Sequence, residues 1–126
     1  MSAAVSQTPK QKRRREEDAL QRSVVELLQY LENQKRLTYF AVPNGGYRSK
    51  TEAAILKGLG VRAGVADLII IGPLGKVYAL ELKSRNGETS PEQDEFAERV
   101  CRLGGEFAIE RDLDGVNLQL KAWGLT

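Results

Sequence analysis

Apolar residues recur at helical spacing from about Arg14 to Asn33, where Leu20, Val24, Leu27, Leu28 and Leu31 form one stripe, and this pattern predicts an opening helix. Leu37 to Val42 reads as a strand, closed by the loop signal Pro43-Asn44-Gly45-Gly46. Ser49-Lys-Thr-Glu52 has capping-box spacing and opens a short helix through about Leu59, with Ala53, Ala54, Ile55, Leu56 and Leu59 giving it one side that can pack. Gly60 ends that helix, and Gly60, Gly64 and the small residues between them form a flexible approach to Asp67. Two runs rich in Val, Ile and Leu then flank Gly72-Pro73-Leu74-Gly75, which predicts a β-hairpin. After a polar loop, Ser90-Pro91-Glu92-Gln93 announces a helix whose buried stripe is Phe96, Ala97, Val100 and Leu103, ended by Gly104-Gly105. Glu106 to Glu110 alternates as a strand, and Asp112 or Asp114 caps a last helix through Trp123. This order predicts an α/β fold, a mixed sheet flanked by helices. Residues 1–13 read as a disordered basic tail and residues 14–126 as a single domain.

Three ionisable residues interrupt the apolar pattern of the hairpin: Asp67 at its start, and Glu81 with Lys83 at its end. Strand side chains alternate faces, so Glu81 and Lys83 point the same way. Charges on an apolar strand are costly unless they pair, bind a metal or do chemistry. Whether Asp67 joins them depends on the turn. A loop of two or four residues puts Asp67 opposite Leu80, on the wrong face. A three-residue loop of Pro73, Leu74 and Gly75 fits better, with Pro at the second position of a type I turn and Gly at the left-handed position after it. Gly72 then faces Lys76, and Asp67 faces Glu81.

Composition narrows the chemistry. The chain has 126 residues, 41% hydrophobic and 29% charged, an ordinary composition for one modest core. No apolar run approaches membrane-spanning length and Met1 to Pro9 holds no signal core, so the expected location is intracellular, cytoplasmic or nucleoid-associated. The sequence contains no His, which excludes Ser-His and Cys-His nucleophiles and imidazole-based zinc sites. The single cysteine, Cys101, excludes an internal disulfide and is expected to be a packed thiol near a helix stripe. Any metal would be held by carboxylates and carbonyls, favouring Mg²⁺ or Mn²⁺. No organic cofactor is indicated.

The net charge is only +2, but its distribution is uneven. Lys10, Lys12, Arg13, Arg14 and Arg15 precede the first helix, and Arg48, Lys50, Lys57 and Arg62 precede the hairpin. Such clusters can neutralise phosphates; they also occur as plain solvated surface. Asn44, Arg48, Lys50 and Arg62 are the candidate nucleic-acid contacts. On the first helix, Glu17 projects within the apolar stripe, Glu26 falls on the far side facing water, and Gln21 flanks the stripe. Glu17 reads either as a rim or capping acid or as a third carboxylate for the hairpin. Gln93 likewise reads either as the partner of the Ser90 cap or as a side chain facing the site.

Two facing acids, with Glu17 as a candidate third, suit one or two hard divalent cations, and Lys83 beside them suits stabilisation of charge on a phosphoryl group. These parts describe phosphodiester hydrolysis. The ordered set Glu17-x-x-Leu20-Gln21, Pro43-Asn44-Gly45-Gly46, Leu59 to Asp67, Glu81-Leu82-Lys83 and Ser90-Pro91-Glu92-Gln93 resembles the VRR-NUC domain of the PD-(D/E)xK nuclease superfamily, in its stand-alone form. The resemblance implies a restriction-endonuclease-like αβββαβ core, here with an extra C-terminal helix, and Mg²⁺- or Mn²⁺-dependent endonucleolytic cleavage of DNA. It assigns metal binding to Glu17, Asp67, Glu81 and the carbonyl of Leu82, positioning of the attacking water to Lys83, and support of the site to Gln93. It further implies a homodimer acting on branched DNA or Holliday junctions in replication, recombination or repair, with a phage-encoded enzyme acting in a host cell as one setting. The position before Asp67, usually Pro in the family, is Ala66 here, which loosens the approach without removing a reactive group. The alternative is a non-catalytic DNA-binding module on the same fold.

Overall fold

The first helix begins where two polar side chains close on each other. Thr8 Oγ1 accepts the backbone N–H of Gln11 at 3.1 Å, Gln11 Oε1 accepts that of Thr8 at 2.9 Å, and Pro9 takes the first helical position. In the computed structural model, which describes residues 6–43 and 48–126, helix α1 therefore runs Pro9–Asn33. The expected tail is thus helical from Pro9 onward. The apolar stripe could not reveal this, because Pro9 to Glu16 are all exposed.

The remaining elements are β1 (Thr38–Ala41), α2 (Lys50–Gly58), β2 (Leu68–Ile71), β3 (Val77–Leu82), α3 (Pro91–Arg102), β4 (Glu106–Glu110) and α4 (Leu113–Ala122). The sheet order is β1-β2-β3-β4, antiparallel through β3, with β4 parallel to β3 across the α3 crossover. This is the mixed α/β sheet that the pattern predicts. Asp112 rather than Asp114 caps α4, accepting the N–H of Gly115 at 2.7 Å. Among the described residues, no helix is long and apolar enough to cross a membrane.

The core lies on one face of the sheet. Leu68, Ile70, Leu80 and Leu82 pack with Val24 and Leu28 of α1 and Val116 and Leu120 of α4. Burying each such side chain contributes about 1.5–3 kcal/mol. Alternation along β3 then turns Glu81 to the opposite face, toward α3. Gly64, at φ 79, brings its backbone so close to Glu92 of α3 that a Cβ would lie 2.4 Å from the Glu92 carbonyl carbon. The close approach provided by this glycine is to protein backbone.

Three local expectations are corrected. The hairpin turn has the predicted register and the predicted left-handed Gly75, at φ 74, but not the predicted type I geometry: Leu74 sits at φ 62, ψ 19, left-handed where a type I turn is not. No side chain of α2 is fully buried: Leu56 is half-buried, while Ile55 and the capping Leu59 are 59% and 76% exposed, so its apolar side is packed only in part among the described residues. On α3, Leu103 and Cys101 are exposed, because the half-buried stripe of Phe96, Ala97 and Val100 ends one turn earlier than expected.

Candidate active site

The hairpin brings its acids together through register. Leu68 pairs with Leu80 and Ile71 with Val77, and the Gly72 N–H donates to the Lys76 carbonyl at 2.9 Å. Continued by one step, that register sets Asp67 across from Glu81. Their carboxyl groups share a hydrogen bond, and Asp67 Oδ2 also accepts the backbone N–H of Leu82 at 2.9 Å. The carbonyl of Asp67 accepts the N–H of Val42 at 2.8 Å, fixing the start of β2 to the end of β1.

Glu81 is 2% exposed. Burial, the hydrogen bond to Asp67 and the charge of Asp67 push its carboxyl up to about 9, against the opposing pull of Lys83. Glu17 adds to the upward push. Among the described residues neither Glu81 nor Lys83 makes an ion pair, so the two do not simply neutralise each other.

Gln93 does both things its sequence position allows. Its Oε1 accepts the N–H of Ser90 at 3.0 Å, completing the capping box, while its Nε2 donates to Glu81 Oε2 at 3.1 Å. The cap fixes which end of the amide faces the acid.

Glu17 comes from the other layer of the fold, around the end of β3. Its Oε1 accepts the backbone N–H of Ser84 at 3.1 Å. Among the described residues no three acids gather closely enough to hold a metal ion by themselves, so Glu17 does not form a compact triad with Asp67 and Glu81. It stands at the side of the pair.

These residues line one open cleft of about 820 Å³ between α1 and the ends of β2 and β3. Glu26 is exposed as its projection requires, yet it borders this cleft, whose wall extends further round α1 than the apolar stripe does. Arg48, Lys50 and Arg62 do not line it; Arg62 borders a separate shallow groove of about 370 Å³ with Phe96 and Leu103. Asn44 lies outside the described residues.

The sequence patterns do not place two further groups at the site, although Arg14 belongs to the basic run noted above. Arg14 and Arg22 of α1 line the cleft, a placement visible in the sequence only by projecting the charged side of the helix as carefully as its apolar side. Arg111 Nη1 donates to the carbonyls of Ser84 at 2.6 Å and Gly87 at 2.8 Å, clamping the turn that presents the Ser84 N–H to Glu17. No local pattern could have signalled a contact across that sequence distance.

No family model and no curated protein matches the chain. Solved structures do. A VRR_NUC domain protein superposes with a TM-score of 0.66 at 23% identity, covering 85% of this chain and 86% of its own. A second structure, described as a VRR_NUC domain, gives 0.62 at 18% identity, covering 86% of this chain and 97% of its own. The chain has the VRR_NUC-domain fold.

Proposed function

We propose that this protein is a divalent-metal-dependent DNA endonuclease. The observation that carries the reading is the Asp67–Glu81 carboxyl pair, buried on the Glu81 side and held by Gln93 and the Leu82 N–H, with Lys83 lining the same cleft. Two acids forced into contact, one of them resisting ionisation, form a donor set that a hard cation would relieve. Asp67, Glu81 and the Leu82 carbonyl would hold Mg²⁺ or Mn²⁺, with Glu17 at the side. An ion bound there would supply Lewis acidity and a more acidic water. Lys83 presents its ammonium to the phosphate and attacking oxygen, where developing negative charge is stabilised. Gln93 keeps Glu81 oriented, and the cap at Ser90 keeps Gln93 oriented.

The finer elements rest on the resemblance: branched DNA or four-way junctions as substrate, a homodimer as the working form, and a role in replication, recombination or repair inside a cell. A second reading is a non-catalytic DNA-binding module, which the exposed basic first turns of α1 would serve equally well.

Labelled linear, nicked, flap and four-way-junction DNA, each with Mg²⁺, Mn²⁺ or EDTA, separates the two. The expected result is metal-dependent cleavage that falls by roughly 10²–10³ or more in Asp67→Ala and Lys83→Ala while DNA binding persists. Binding without cleavage under any metal would establish the module instead.

A further inference from the structure

We infer that Arg14 and Arg22 of α1 hold the substrate's phosphates on either side of the one being cleaved, so that one DNA strand runs along α1. The inference rests on the nuclease reading and assigns it a substrate path. Both arginines line the cleft that contains Asp67, Glu81 and Lys83, and both are exposed. Glu17 lies between them in sequence, and its carboxylate is turned inward to the Ser84 N–H. Eight helical residues separate the two arginines by about 12 Å along the axis. With roughly 3.4 Å of duplex axis per phosphate on a strand, that span covers several phosphates. Both cations thus border the cleft that holds the acids.

The rest of α1 continues the path. Lys10 is one turn beyond Arg14, and the first turns also carry Lys12, Arg13 and Arg15, with no acidic residue among the first three helical positions. Pro9 to Glu16 are exposed, so these turns give nothing to the core. Crowding like charges at the positive end of a helix opposes its stability, and a polyanion laid along it would offset that cost.

The competing use of these arginines is pairing along the helix. Arg14 with Asp18, and Arg22 with Glu26, have the spacing for ion pairs, and all four residues border the cleft. Among the described residues neither pair is made. The guanidinium groups therefore remain available to phosphate, and Asp18 and Glu26 are local repulsion that DNA must overcome.

The test measures binding of the full chain carrying Asp67→Asn to a labelled duplex and a labelled four-way junction over a salt series. Arg14→Gln and Arg22→Gln should each reduce the slope of log affinity against log salt by about 1, and together by about 2. Arg102→Gln, on α3 outside the cleft, should leave the slope unchanged, and Asp18→Asn should tighten binding. Circular dichroism and thermal melting should show all variants folded. Unchanged slopes in the arginine variants, with binding retained, would overturn the strand path and leave the nuclease reading standing. A chain that binds neither DNA at any salt would overturn both.

Discussion

In β2 and β3, Leu68, Ile70, Leu80 and Leu82 are almost completely buried; in and just after α2, Ile55, Leu59 and Val61 remain exposed. Both segments carry apolar residues able to pack, and both are bounded by turn signals. What separates them is the number of neighbours that constrain each one. The hairpin is paired on both sides, covered by α1 and α4 on one face and crossed by α3 on the other. The helix α2 is held by its cap, where Ser49 Oγ accepts the Glu52 N–H at 3.1 Å, and fully buries none of its own side chains. A catalytic pair that must be held in one geometry belongs on the constrained segment.

The largest test of that contrast is stability. Leu80→Ala should cost about 2–5 kcal/mol, because a fully buried leucine leaves a cavity beneath the strand carrying Glu81. Leu59→Ala should change stability by no more than about 0.5 kcal/mol. Urea titrations monitored by circular dichroism check both. A Leu59→Ala cost approaching that of Leu80→Ala would mean that α2 is packed in solution after all.

The same contrast explains what the sequence could and could not reveal. The Asp67–Glu81 register was legible because pairing arithmetic is rigid: one loop length sets every partner along the hairpin. Gln93 was legible because its position in the Ser90 box and its alignment with the α3 stripe made the same demand on one side chain. The α1 start was written in Thr8-Pro9-x-Gln11, but its exposed, charged turns carry no apolar period to draw attention to it. The exposure of α2, and of Cys101, was not legible, since amphipathicity states that a face is able to pack and not that a partner exists. Glu17 was half legible: helical projection aimed it inward, yet only the tertiary path around β3 shows that it meets the Ser84 N–H rather than closing a triad.

A second prediction probes the strain on the constrained side. With its carboxyl pushed up to about 9 from an ordinary value of 4.5, Glu81 keeps a proton in the folded chain that the unfolded chain releases. The folded state binds more protons throughout that window, so stability in EDTA should fall as pH rises from about 4.5 toward about 9. Glu81→Gln, which imitates the protonated carboxyl, should flatten this decline, with a difference from the wild type on the order of a few kcal/mol by the alkaline end. Thermal melts at several pH values in EDTA measure it. Parallel declines in the two proteins would show that Asp67 and Glu81 do not share a proton.

The smallest effect distinguishes the turn from the strands it joins. Leu74 is fully exposed and holds a left-handed backbone at φ 62, a conformation costing a non-glycine residue roughly 1–2 kcal/mol. Leu74→Gly removes that cost and adds some freedom to the unfolded chain, so a net gain of about 0.5–1 kcal/mol is expected. Nothing packs against the leucine side chain to be lost. If the strand pairs and the Asp67 hydrogen bonds set the register, DNA cleavage should be unchanged in this variant. If the turn alone sets it, the other turn geometries open to glycine would let β2 slip against β3, carry Asp67 to the other face and abolish cleavage. Loss of cleavage would therefore transfer control of the site from the sheet to its apex; a small gain in stability with intact activity would keep it in the sheet.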